Sequence, residues 1–173
     1  MKNKNKSIVV HLIASILSVL LICLPALAVD TNSIGATVTA QNFSVVIVSD
    51  GTVPYGTVSL SGQKSTIDLT DTQNARNNGN VTAKFNIKSS NATSSGGTWT
   101  IGAATGSIDV YMHQFTTTTG NFRTLTAADT YATATGSIPV NATTTIDLQI
   151  GIPSSVSEYS AKTISVTIQA TTP

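Results

Sequence analysis

Residues 163–170, TISVTIQA, alternate without a break: Ile164, Val166, Ile168 and Ala170 fall on one parity, Thr163, Ser165, Thr167 and Gln169 on the other. Residues 145–150 repeat the pattern, with Ile146, Leu148 and Ile150 against Asp147 and Gln149. A period of two is the spacing of a strand with one face in a core and the other in water. Further alternating or apolar runs lie at 36–49, 56–61, 98–103, 107–115 and 136–142, with a looser piece near 122–126. Breaks at Asp50-Gly51, 94–97 and 116–121 separate them. Short strands between polar turns predict an all-β chain, an antiparallel β-sandwich of the immunoglobulin-like or jelly-roll kind.

Two alternating runs flank the polar stretch 77–80, Asn-Asn-Gly-Asn. Ile67, Leu69 and Ala75 share odd parity with Val81, Ala83, Phe85 and Ile87, while Asp68, Thr72, Asn74 and Arg76 fall on even positions, as do Thr82, Lys84, Asn86 and Lys88. Asn78-Gly79 is a strong short-range signal for a tight hairpin, because both residues tolerate left-handed dihedrals. An EF-hand calcium loop beginning at Asp71 needs Gly at its sixth position and Glu at its twelfth. The chain has Arg76 and Thr82 there, so the stretch reads as a turn and no metal site is expected.

One run breaks the alternation. Residues 43–48, FSVVIV, are apolar on both faces apart from Ser44. Such a run is what a central strand covered on both sides looks like. The other reading is a segment that leaves its own fold and completes a neighbour's sheet, with Phe43, Val45, Val46, Ile47 and Val48 as the donated strand.

The first thirty residues change the compartment. Lys2, Lys4 and Lys6 precede an apolar stretch from Ile8 to Leu24, and Ala26-Leu27-Ala28 has the small-x-small form of a cleavage site. Residues 1–28 are therefore expected to be a cleaved signal helix, and 29–173 a single exported domain that meets the membrane only through that segment. Cleavage takes Lys plus Arg from 9 to 6 against 8 acids, a net charge of −2. A scattered acidic balance lacks the basic patch that nucleic-acid binding needs. Cys23 leaves with the signal, so the mature domain has neither a disulfide nor a thiolate metal site.

A Gly-Thr-Val-x-Leu strand (Gly56, Thr57, Val58, Leu60) following an aromatic-containing strand, then the asparagine turn (Asn77, Asn78, Gly79, Asn80), resembles the layout of secreted β-sandwich proteins of the TasA and camelysin type over residues 43–90. The resemblance implies a sandwich fold and subunits that polymerise into extracellular fibres by strand donation. This chain has STIDLTDTQ where such proteins tend to carry a Pro-Gly-Asp turn.

Candidate chemistry is sparse. His113 is the one histidine past the signal, and Asp109 shares its parity, but four residues on a strand span ~13 Å, too far for a catalytic pair. No nucleophile elbow, phosphate loop or zinc-protease motif is present, so neither an enzyme nor a cofactor is expected. Trp99 and Tyr111 are the candidate aromatic platform of a carbohydrate-binding module, although Trp99 shares parity with Ile101 and is expected to point inward. The sequence thus predicts a secreted structural or adhesive protein of the cell surface or matrix, self-assembling or bound to other surface proteins. Its rival is a polysaccharide-binding module.

Overall fold

The computed structural model describes residues 33–117 and 121–173; the expected signal segment lies outside them. Two compact units are distinguished, Met1–Val38 and Thr39–Pro173. The described residues of the first, 33–38, carry neither helix nor strand and are exposed. Among the described residues no helix is long and apolar enough to cross a membrane.

The second unit is built from β-structure. In chain order its strands are β1 (Val45–Ile47), β2 (Gln63–Ser65), β3 (Gln73–Asn77), β4 (Ala83–Ser89), β5 (Ala92–Ser94), β6 (Gly97–Ile101), β7 (Val110–Thr116), β8 (Arg123–Leu125), β9 (Ala132–Ile138), β10 (Thr143–Gly151) and β11 (Val166–Thr171). A single helical turn, α1 (Thr66–Leu69), separates β2 from β3. Eight strands form one curled sheet in the order β1-β3-β10-β7-β6-β5, with β2 also on β10 and β8 also on β7. The other three form a second sheet, β11-β4-β9.

The alternation seen in the sequence sets the core. On β4, Ala83, Phe85 and Ile87 are fully buried. Tyr111 and Phe115 of β7 are equally covered, and Ile146, Leu148 and Ile150 of β10 lie inside the same cluster. β-branched side chains, stiff at χ1, suit these pleated surfaces.

Several expectations are corrected. The asparagine turn is not a hairpin: β3 belongs to the large sheet and β4 to the small one, so residues 78–82 carry the chain between sheets. The buried Asn77 amide causes this. It donates to Val81 O at 2.8 Å and Ile138 O at 2.9 Å, and its Oδ1 accepts from Gly79 N at 3.0 Å, which locks the crossing. Gly79 is required for space, since a Cβ there would meet Asn42 O at 2.2 Å.

Ile67 and Leu69 are not on a strand face but in α1. Ser65 Oγ accepts from Asp68 N at 3.1 Å while Asp68 Oδ2 accepts from Ser65 N at 3.0 Å, a reciprocal cap that closes a helical turn. The turn interrupts what would be one strand along β10: Gln149–Gly151 pair with β2, Thr143–Ile146 with β3. Across the gap the Thr66 hydroxyl accepts from Leu148 N at 3.0 Å and donates to Asp147 Oδ1 at 2.8 Å, so the freed backbone donor keeps a partner.

The strand expected at 43–48 is not central. β1 is an edge strand, paired with β3 alone from Val45↔Asn77 to Ile47↔Ala75, and Ile47 and Val48 are exposed. Residues 56–61 form no strand. The large sheet is mixed rather than antiparallel, because β6 and β7 run parallel over Thr100↔Val110 and Ile101↔Tyr111. Asp109, at the entry to β7, has a φ of +54°.

Candidate functional site

An apolar cleft of about 850 Å³ lies between the inner faces of β10 and β11. Its floor carries Ile146, Leu148, Ile150 and Ile152, all buried. Its roof carries Ile164, Val166 and Ile168, which are only half-buried although they alternate as regularly as any residues in the chain. Beside it run residues 53–60, a strap without regular structure from which Val53, Tyr55 and Val58 pack on the core. β11 pairs with β4 on one side only, so its outer edge has no strand partner among the described residues. A two-sided strand would have used both rows of backbone groups.

At the inner end of the cleft lies a polar knot. His113, 1 % exposed, bonds Ser89 Oγ through Nδ1 at 2.7 Å and faces the Tyr55 hydroxyl through Nε2 at 3.4 Å. The Tyr111 hydroxyl donates to Ser90 O and lies 3.4 Å from Ser89 Oγ. Burial drives the His113 pKa down to about 4, which keeps the ring neutral, and burial raises both tyrosines, Tyr55 more strongly. Serine and histidine do meet here, but the serine is completely buried and bonds Nδ1, and no carboxylate is bonded to the ring. Asp109, the sequence candidate for that role, is engaged elsewhere: it accepts from Ser157 N at 2.9 Å, and its pKa is lowered first by the Ser157 side chain and then by this backbone bond. The knot satisfies core polar groups; a nucleophile would need access to water and a base in line.

The aromatic candidates are not brought together as a platform. Tyr111 is fully buried and offers no ring face. Trp99 is half-buried on the cleft wall, with the Lys162 ammonium 5.3 Å from its ring centroid. That ammonium is itself held by Glu158, Ser94 Oγ at 2.9 Å and Gly97 O at 3.1 Å. A sugar would need the ring surface the lysine occupies. The Trp99 indole N–H is buried and has no hydrogen-bond partner among the described residues.

A third cluster gathers oxygens around the Gln73 amide. Its Nε2 lies 3.1 Å from Thr52 O, 3.2 Å from Asp71 O and 3.1 Å from Asp71 Oδ1, while its Oε1 accepts from Ser49 Oγ at 2.6 Å. These bonds tie loop 49–52 to β3. No group of three or more His, Cys, Asp or Glu side chains able to hold a metal exists among the described residues.

Two features escaped the sequence reading. The cleft is bordered by residues 56–61, which are patterned as a strand but form none, and pattern alone does not report pairing. The other is a clamp at Asn80, which donates from Nδ2 to Ala40 O at 2.8 Å, accepts Asn42 N on Oδ1 at 2.8 Å and donates its backbone N–H to Asn42 O at 3.1 Å. Comparison with family models, curated proteins and solved structures gives no match to this chain.

Proposed function

We propose that the chain is an exported structural subunit, a two-sheet β-sandwich that assembles with copies of itself by strand donation at the cell surface or in an extracellular matrix. One observation carries the reading: an apolar cleft bordered by the unpaired edge of β11 and roofed by half-buried Ile164, Val166 and Ile168. An apolar face next to a row of free backbone donors and acceptors is the form of an acceptor for an added strand. The leader-like residues 1–28 and the resemblance of residues 43–90 to fibre-forming secreted sandwiches support it. The His113 knot is compatible with it, since its polar groups are buried and bonded to one another. Carbohydrate binding is the weaker reading, because Lys162 already covers Trp99 and Tyr111 is enclosed.

Light scattering and negative-stain microscopy across a concentration series test the proposal. The expected result is a mass that grows in whole-subunit steps, with linear assemblies at the upper end. A monomer at every concentration and salt condition overturns it.

A further inference from the structure

Residues 43–48 are the segment the sequence nominated for donation, yet Val45–Ile47 are already paired in register with β3 of their own chain. A different segment has the pattern and lacks a partner. Along residues 33–39 Ile34, Ala36 and Val38 share one parity, Ser33, Gly35, Thr37 and Thr39 the other. The stretch carries no charge and no proline, so nothing in it forbids pairing or burial. Ile34 and Val38 are each 97 % exposed. A strand pattern whose apolar row stands in water is a half-made interface.

We infer that residues 33–39 of one copy are the donated strand of a second copy's cleft, lying along the free edge of β11 with Ile34, Ala36 and Val38 turned onto its floor. The inference rests on the assembly reading above and names the segment and the edge it uses. Lengths agree: seven residues at ~3.3 Å each reach roughly 23 Å, and the six residues of β11 offer roughly 20 Å of edge. Chemistry agrees as well. The cleft presents isoleucine and valine to the apolar row. The clamp at Asn80 fixes where the arm begins, because Ala40 and Asn42 are held while the described residues 33–39 carry no regular structure and stand exposed.

On the strap side the donated strand meets residues 56–61, whose Gly-Thr-Val-Ser-Leu-Ser sequence is patterned as a strand without being one. Assembly therefore supplies the missing partner to two edges at once, and the strap gains regular hydrogen bonding only in the assembled state.

Full-length chain with the double substitution Ile34→Asp and Val38→Asp tests the donor, with Thr37→Asp on the opposite row as control. The expected result is that the double substitution raises the half-assembly concentration by roughly a hundredfold, while the control moves it by less than about threefold. The melting midpoint of the dilute protein stays unchanged in both. Benzoylphenylalanine placed at Val38 of unlabelled chain, mixed with ¹⁵N-labelled chain and irradiated, maps the acceptor. Light-to-heavy cross-links ending on 56–61 or 164–168 support the inference. Cross-links only within one chain, or to any other surface, overturn it. Assembly that persists undiminished in the double substitution overturns the donor assignment and leaves strand donation standing, whereas failure of the unmodified chain to assemble removes both.

Discussion

The two halves of the interior use the same residue types in the same alternation and end in different states. Between β4 and β7 the core is filled: Phe85, Ile87, Tyr111 and Phe115 are at most 1 % exposed. Between β10 and β11 the floor is covered but the roof residues Ile164, Val166 and Ile168 are half-buried over a cleft of about 850 Å³. The difference is one of neighbours. β4 is flanked by β11 and β9, and β7 by β10 on one side and by β6 and β8 on the other, whereas β11 is hydrogen-bonded to β4 alone among the strands of the described residues. Alternation specifies which face is apolar; only a flanking strand or helix makes that face dry.

Cavity-forming substitutions sharpen this contrast most. Phe85→Ala in the filled half should destabilise the fold by about 3–5 kcal/mol, since the surrounding strands can close only part of the void. The matching truncation on the open side, Val166→Ala, should cost about 1 kcal/mol in dilute protein, because a half-buried side chain gives up little contact. Chemical denaturation of both reads the gap between them. Equal costs would mean that the cleft is closed in solution.

Acid tests the boundary between the halves, where His113 sits. Its folded pKa of about 4 lies below the ordinary histidine value of 6.5. The unfolded chain therefore binds the proton first as pH falls, and stability present above pH 6.5 is lost progressively down to about pH 4, then no further. The loss amounts to roughly 3 kcal/mol at most. His113→Phe should remove the slope over that window, and an unchanged slope would show that the ring is solvated through the cleft.

At the surface the expected effect vanishes. Lys88 and Asp129 pair at 3.0 Å, and Asp129 is well exposed. Asp129→Asn should leave the melting midpoint where it is, as solvent screens the pair. A measurable drop would place unseen order on that side of β4.

Much of this architecture was legible beforehand, for a definable reason. β4, β10 and β11 follow from parity alone because each has one face on the core, the case in which period two is unambiguous. The inward turn of Trp99 followed from its parity with Ile101. What failed were questions of partnership. Asn78-Gly79 was read as a hairpin because local turn chemistry does not report which sheet the next strand joins. The buried Asn77 amide decides that through Ile138, 61 residues away. α1 had a visible signal, Ser65 followed three residues later by Asp68, masked by the apolar parity of Ile67 and Leu69. The cleft is a missing neighbour, and no residue spells that.

The Asn80 clamp has a mechanical consequence. If subunits are linked through residues 33–39, tension along a filament enters each folded body at Ala40 and Asn42, where three hydrogen bonds to one asparagine take it up. Behind them stand the three antiparallel residue pairs joining β1 to β3. Stretching such a filament would yield first at that asparagine, and the oily interior of every subunit would stay dry while it did.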